Sequence, residues 1–414
     1  MKILQTLRCD PKEANNLSRQ LAIAIENEEW IQLLPKRSTT LMPNATVLPT
    51  GPGVIISSGG SYRRPHQCLH PSSNLDLSAI ATGEWLQKQG LEPKNCIVLN
   101  PLPLHHVSGL MPWWRSRVWG ADHYWLMPSL MRDPKALKEF CKSIFHQRVG
   151  PFITSLVPTQ LQRLIEHPYG LDWLKSFDLI WVGGSKLSNK LASHARREQI
   201  RLAPCYGATE TAAMITSLAP NSFLAGRNDC GNPLRDVDLR LTQFGSLEIK
   251  TARLSSMVWE DGCLKEIQDK NGWWQSGDLA KLTLKNCSYQ LEILGRSDTA
   301  INSGGETIFP ELLESKLLAA AKKAKIPVLY ILFLPLEDKE WGERLIALIC
   351  WESMLTTVEQ QQQLEKVKQL IEEWQPAEKP FLWHVCNELE PTESGKFERS
   401  KWQNWLKANY FLSK

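Results

Sequence analysis

The sequence predicts an α/β fold: a large N-terminal domain of mixed sheets with flanking helices and a small β unit, then a small α+β C-terminal domain. Three observations carry this. Short apolar runs bounded by Gly, Pro or Asn alternate with helically spaced segments through the first two thirds of the chain. Residues 236–294 switch to period-two alternation, and after Pro310 a long helical segment precedes two apolar runs. At 414 residues the chain is long enough for more than one domain, by a soft prior of roughly 150 residues each.

The elements follow in order. Residues 54–56, 97–99, 152–157 and 179–182 are continuous apolar runs and predict buried strands, with helices over 134–145 and 159–166 between them. Such alternation places helices on the sheet faces and ligand-binding loops after the strands. The runs VDLRL, SLEIK and YQLEIL predict a small antiparallel β unit. Pro310 suits a first helical position, ELLESKLLAAAKKA continues that helix, and IPVLYILFL and RLIALICW predict strands. Thr356 with Glu359 forms a capping-box pattern ahead of Leu364, Val367, Leu370, Ile371 and Trp374 on one face, and Pro376 stops that helix. The domain boundary is placed at 295–298, giving 1–295 and 296–414.

Composition excludes several classes. With 43% hydrophobic and 22% charged residues, the chain is not disordered, collagen-like or a pure coiled coil. Its net charge, 48 − 44 = +4, is too small for a dedicated nucleic-acid binder. The ten cysteines are scattered, with no CxxC pair and no metal-ligand spacing, which predicts reduced thiols in a cytoplasm. The N-terminus turns polar before a secretory apolar core develops. The longest apolar run, 326–336, is about half of a ~20-residue span, so no integral membrane segment is expected. Seventeen tryptophans, clustered at Trp113, Trp114, Trp119 and Trp125, are read as core or pocket wall.

Six segments could carry chemistry. In ISSGGSYRRPHQCLHP, Ser57, Ser58, Gly59, Gly60 and Ser61 could wrap N–H groups and hydroxyls around phosphate oxygens, or form a plain Ser/Gly turn. In LPLHHVSGL the adjacent His105 and His106 should point apart, so at most one faces a site, and a structural role is equally open. WVGGSKLS ends a strand in Gly183 and Gly184. CYGATETAAM follows, where Thr209 offers a hydroxyl to phosphate and Glu210 a hard oxygen to Mg²⁺. Asp278 in GWWQSGDLA could accept both hydroxyls of a ribose. LGRSDTAINSGGE joins Arg296 and Asp298 to Gly304 and Gly305, and PTESGKFERSKW presents Lys396 on a Ser-Gly turn.

Taken in order, YGATE, the SGD turn, GRSDTAINSGGE and PTESGK, with GSLEIK before the SGD turn, resemble the core motifs of the adenylate-forming superfamily over about residues 56–401. That superfamily includes acyl-CoA synthetases, luciferases and amino-acid adenylation domains. The resemblance implies that a carboxylate attacks the α-phosphate of ATP to give an acyl-adenylate, which a thiol such as coenzyme A then captures. Ser57 to Ser61 would hold the β- and γ-phosphates. Gly183, Gly184 and Ser185 would line the adenine and acyl pocket, with Tyr206 and Gly207 beside adenine. Thr209 would touch phosphate, Glu210 would hold Mg²⁺, Asp278 and Arg296 would bind the ribose, and Lys396 would bridge the α-phosphate and the attacking carboxylate. The C-terminal domain would be mobile, turning about Asp298 to bring the Gly304 and Gly305 loop to the thiol tunnel.

The short length, HHVSGLMPWWRS and the abbreviated N-terminus look most like the ligases of this superfamily that act on an aromatic keto-diacid of quinone biosynthesis. His106, Val107, Ser108 and Gly109 would then line the acyl pocket, with Arg115 or Lys186 as the cation for a second carboxylate. The sequence departs from the family pattern in its phosphate loop, where Arg63 stands at a usual Gly and His66 at a usual Lys. The shortened N-terminus would leave a surface that a second subunit of a homodimer covers. The alternatives are an enzyme of the same fold loading an amino acid or fatty acid, and a nucleotide-binding protein without catalysis.

Overall fold

Strands covered on both faces tend to be apolar throughout, and the central strands Ile97–Asn100, Phe152–Leu156 and Leu179–Val182 are almost wholly buried. The computed structural model describes residues 4–38, 48–58, 66–285, 288–391 and 397–410. Contacts divide it into two units: described residues up to 276 with 281–292, and the segments 277–280 and 293 onward.

In the first unit a seven-stranded sheet runs Asn232–Pro233, Ala213–Ser217, Leu202–Ala208, Leu179–Val182, Phe152–Leu156, Ile97–Asn100, Asp122–Trp125. The last five of these are mutually parallel, as expected of strands joined through helices. Helices Pro134–Gln147, Pro158–Ile165, Pro168–Lys175 and Asn189–Arg197 cover one face over a core of Leu137, Leu161, Trp173 and Ile180. A six-stranded sheet carries Leu4–Cys9, Trp30–Pro35 and Gly53–Ser57 in parallel, then Gln67–Pro71, Met257–Glu260 and Cys263–Lys265 in antiparallel pairing. Helices Ala14–Glu26, Ser72–Lys88 and Val107–Trp119 share a core with it, in which Leu21, Leu75, Leu110 and Trp114 join Leu33 and Val54 of the strands.

At the N-terminus, Leu4–Cys9 pairs in parallel along the whole of the strand Trp30–Pro35, and helix Ala14–Glu26 follows it. One expectation changes here. The runs VDLRL, SLEIK and YQLEIL do share one small sheet, but the span 236–294 does not lie wholly within it. Asp238–Leu241, Ser246–Lys250, Trp274–Lys285 and Ser288–Arg296 form a four-stranded sheet, while Met257–Glu260 leaves to pair with Gln67–Pro71. Local alternation marks a strand but carries no information about its distant partner.

The second unit contains a five-stranded sheet of Glu306–Ile308, Ile301–Ser303, Gly342–Trp351, Val328–Asp338 and Leu382–Val385. Helix Pro310–Lys323 packs Leu313 and Leu317 into one core, and helix Arg399–Tyr410 packs Trp402 and Leu406 into another. The capping box is present: Thr356 N–H donates to Glu359 at 2.8 Å, and Glu359 N–H donates to Thr356 Oγ1 at 3.3 Å. Buried Glu314 accepts two 2.7 Å bonds from Arg399, which also donates to the Phe333 carbonyl. Breaking such a buried pair from one side costs about 3–5 kcal/mol. The described cysteines are free, and no described helix is long and apolar enough to cross a membrane.

Half-buried His123 accepts from Asn100 Nδ2 at 3.2 Å, and the same amide donates to the Gly109 carbonyl at 2.8 Å, tying a strand end to a helix start. Burial lowers the His123 pKa from 6.5 to about 3. A depressed folded-state pKa means that this histidine's contribution is complete above pH 6.5 and is lost as pH falls below it. The loss reaches on the order of 3 kcal/mol at pH 4. Denaturant midpoints measured from pH 8 to pH 4 should fall steeply in the wild type and less steeply in His123→Gln; equal slopes would show that His123 does not set the acid limb.

Candidate active site

The candidate phosphate segment starts from two paired strands. Ser57 faces Gln67 in the ladder between Gly53–Ser57 and Gln67–Pro71. Beyond it, buried Ser58 donates its N–H to the His66 carbonyl at 2.8 Å, and its hydroxyl accepts the His66 N–H at 3.3 Å. Gly59, Gly60 and Ser61, with Arg63 and Arg64, lie outside the described residues, as does Lys396.

Strands Leu202–Ala208 and Ala213–Ser217 approach so closely that a Cβ on Gly207 would lie 2.1 Å from the Ala213 carbonyl oxygen. The turn between them places Ala212 and Ala213 at φ 51° and 82°, a region alanine rarely occupies. Thr211 stabilises it: its hydroxyl accepts the Ala208 N–H at 2.9 Å and donates to the Ala213 carbonyl at 2.7 Å. Three further bonds fix the turn's carbonyls. His70 Nε2 donates to Thr209 at 2.7 Å, the Ser255 N–H to Glu210 at 2.7 Å, and Ser78 Oγ to Ala212 at 2.6 Å. Burial lowers the His70 pKa to about 4, so the ring is neutral and its Nε2 carries the proton. Glu210 is therefore aimed by its backbone, and its carboxylate meets His66 Nε2 at 2.9 Å. His70 and Ser255 escape sequence reasoning because they touch only the backbone of the residues they position.

Gly183 follows strand Leu179–Val182 so close to the next strand that a Cβ on it would lie 2.9 Å from Cys205 Sγ, and Gly184 has φ 83°. Gly184, Ser185 and Lys186 are exposed, and Lys186 faces Glu292 at 3.4 Å, so its charge is answered at the surface. Arg115 differs. It is 2% exposed, its guanidinium stacks 5.5 Å from the Trp181 ring, and its Nε and Nη2 have no partner among the described residues. Val98, Thr154, Ser155 and Trp181 line a small depression with it. Burial first, then the neighbouring Arg253, lowers the Arg115 pKa to about 9, which leaves a cation at neutral pH. Arg253, also buried, faces Asp236 at 3.0 Å and donates to Ser78 at 2.8 Å.

His106 is the N-cap residue of helix Val107–Trp119, its carbonyl accepting from the N–H groups of Gly109 and Leu110. The adjacent imidazoles do not point apart. Their centroids lie 4.3 Å apart, because the chain enters the helix with an extended His106. Val107 is half-buried, Ser108 exposed, and Gly109 required, since a Cβ there would sit 2.1 Å from the Pro103 carbonyl oxygen. Gly109 and Arg115 stand six positions apart on this helix, about 9 Å along the axis, so the two segments occupy different ends of it.

Within the second unit the predicted ribose pair is together. Arg296 Nη1 lies 3.5 Å from Asp278, and Arg296 grips Asp298 by two bonds of 2.8 and 2.9 Å. Ser297 closes this arrangement, its N–H donating to the Gly277 carbonyl at 2.7 Å. Gly304 and Gly305, at φ 59° and 87°, form the two-residue turn between Ile301–Ser303 and Glu306–Ile308. Positive φ at both positions is what that hairpin needs.

The profile of the AMP-binding enzyme family matches residues 5–248. The 2-succinylbenzoate–CoA ligase of Escherichia coli strain K12 is 28% identical over 346 residues, which is 81% of this chain and 67% of that protein. Stretches aligned to such curated relatives span from 56% to 69% of their lengths, under two thirds for most. The o-succinylbenzoate CoA synthetase of Bacillus subtilis in complex with its acyl-adenylate intermediate superposes with a TM-score of 0.75 at 18% identity, covering 97% of this chain and 88% of that one. The same enzyme with ATP and magnesium gives 0.71 at 18% identity, covering 97% and 89%. These structures share the fold.

The hairpin geometry makes a ranked stability prediction. Gly207→Ala forces backbone apart and should cost about 3 kcal/mol or more, whereas Gly183→Ala meets mainly the movable Cys205 sulfur and should cost about 1 kcal/mol. Chemical denaturation checks the order, and an equal cost at both positions would contradict it.

Proposed function

The chain belongs to the AMP-binding enzyme family, and from that membership we propose that it is an ATP-dependent acid–thiol ligase. It converts 2-succinylbenzoate through an acyl-adenylate to the coenzyme A thioester, releasing pyrophosphate and AMP, in menaquinone or phylloquinone biosynthesis. The free, largely buried cysteines suit a cytoplasmic enzyme.

Arg115 carries the choice of substrate. A buried guanidinium with two nitrogens unpartnered among the described residues, beside a second buried arginine, is costly until an anion arrives. An aromatic keto-diacid brings a spare carboxylate to such a cation and a ring to Trp181. Lys186, exposed and facing Glu292, has no such need.

Mg²⁺, when bound, supplies positive charge to the phosphates of ATP. Glu210 fits as its protein ligand, being a hard oxygen donor on a turn that buried hydrogen bonds hold still. Thr209 holds a phosphate by its hydroxyl, and Tyr206, Gly183, Gly184 and Ser185 border the adenine and acyl groups. Asp278 and Arg296 hold the ribose, and Asp298 is the hinge. Lys396 meets the α-phosphate and the attacking carboxylate. At ~4 Å and an effective dielectric near 20 its attraction is about 4 kcal/mol, roughly a thousandfold in rate if realised only in the transition state.

Pyrophosphate release with 2-succinylbenzoate, against a panel of benzoates, fatty acids and amino acids, tests the whole reading; selectivity for another acid would discard the substrate. Arg115→Met should lower kcat/KM for the diacid by about 10- to 150-fold, the 1.5–3 kcal/mol of a charged hydrogen bond, and leave a benzoate monoacid nearly unchanged. An equal loss on both acids would refute the assignment. Lys396→Ala should suppress adenylate formation yet retain thioester formation from supplied acyl-adenylate, and equal loss in both half-reactions would refute that division.

A further inference from the structure

His66 immediately precedes the strand Gln67–Pro71, in which Cys68 lies two residues on, while Gln67 between them turns away to accept from Gln32 at 2.7 Å. Glu210 comes to His66 and Cys68 from the turn after strand Leu202–Ala208. One ligand atom from each, imidazole nitrogen, thiol sulfur and carboxylate oxygen, lies within 4.8 Å of the other two. His66 Nε2 and Glu210 already stand 2.9 Å apart, with side chains 19% and 14% exposed, so the cluster has an open edge above the fully buried Cys68.

We infer that His66, Cys68 and Glu210 form a binding site for a thiophilic divalent transition ion such as Zn²⁺ or Co²⁺, with water in the fourth position. The donor set decides the ion. Mg²⁺ prefers six oxygens in a rigid octahedron, whereas one nitrogen, one sulfur and one oxygen suit a tetrahedral, borderline-soft cation. Ligands at roughly 2.0–2.3 Å from such a cation stand closer to one another than 4.8 Å, so small side-chain rotations close the site. Binding breaks the Cys68 S–H bond, releases the proton to solvent and forms the metal–thiolate bond. Thiolate and carboxylate then balance the two positive charges of the ion, which a half-buried site requires. A lysine at position 66 would place an ammonium where the cation sits. Because Glu210 is also the proposed Mg²⁺ ligand, such an ion would compete with ATP-bound Mg²⁺, and this consequence alone rests on the proposed ligase function.

The test is a Co²⁺ titration of the full chain without nucleotide or acid, so that its failure leaves the ligase reading standing. Wild type should show a thiolate-to-cobalt charge-transfer band and the strong visible bands of tetrahedral Co²⁺, both bleached by Zn²⁺. Cys68→Ser should remove the charge-transfer band and weaken Zn²⁺ binding by more than the roughly 100-fold that losing a hydrogen-bond partner of a metal ligand causes. His66→Gln and His66→Lys, at a half-buried position, should each abolish the visible bands while far-UV circular dichroism stays unchanged. Absence of the bands in wild type, or a charge-transfer band that survives Cys68→Ser, would overturn the site.

Discussion

Three hydrogen bonds to the carbonyls of one turn join the two large sheets of the first unit. His70, from the strand Gln67–Pro71, holds the Thr209 carbonyl; Ser255, just before Met257–Glu260, holds that of Glu210; and Ser78, on helix Ser72–Lys88, holds that of Ala212. Each donor residue is buried, and an unpaired carbonyl there would cost about 1–3 kcal/mol. The strained φ values at Ala212 and Ala213 persist because these bonds over-determine the turn. Everything proposed for Thr209 and Glu210 depends on that fixation, because a carboxylate on a loose loop would lose the alignment that chemistry requires.

Charge compensation supplies the second constraint. Arg253 has Asp236 at 3.0 Å, but Arg115 forms no ion pair among the described residues, and the Trp181 ring lies over its guanidinium. A low-dielectric interior strengthens any interaction with an entering anion as much as it penalises the bare cation. The same burial that destabilises the free protein is therefore the proposed source of selectivity for a diacid. Fold likeness alone says nothing of substrate.

The second unit obeys a stricter rule, since its buried Glu314 and Arg399 are paired with each other. Together they bind helix Pro310–Lys323 to the strand Val328–Asp338 through the Phe333 backbone, whose N–H donates to Glu314 and whose carbonyl accepts from Arg399. Arg399 opens the last helix three residues after Lys396, so the anchor lies next in sequence to the proposed catalytic lysine. Arg296 acts similarly nearer the proposed hinge by chelating Asp298.

The α/β class, most of the buried strands, the capped helix after Thr356 and the order of motifs that marks the family were all legible in the amino-acid order. These are local properties: periodicity, turn chemistry and short runs of fixed spacing. The amino-acid order does not show that Met257–Glu260 pairs with Gln67–Pro71, that His105 and His106 touch, or that Arg115 is buried with no ion pair among the described residues while Lys186 is paired at the surface. Nor could scattered cysteines reveal that Cys68 meets His66 and Glu210, because 210 − 68 = 142 positions separate Cys68 from Glu210 along the chain. Partnership between distant residues is set by sheet register and helix packing, which depend on the whole folded chain, and it is that packing which fixes which charges are answered within the fold.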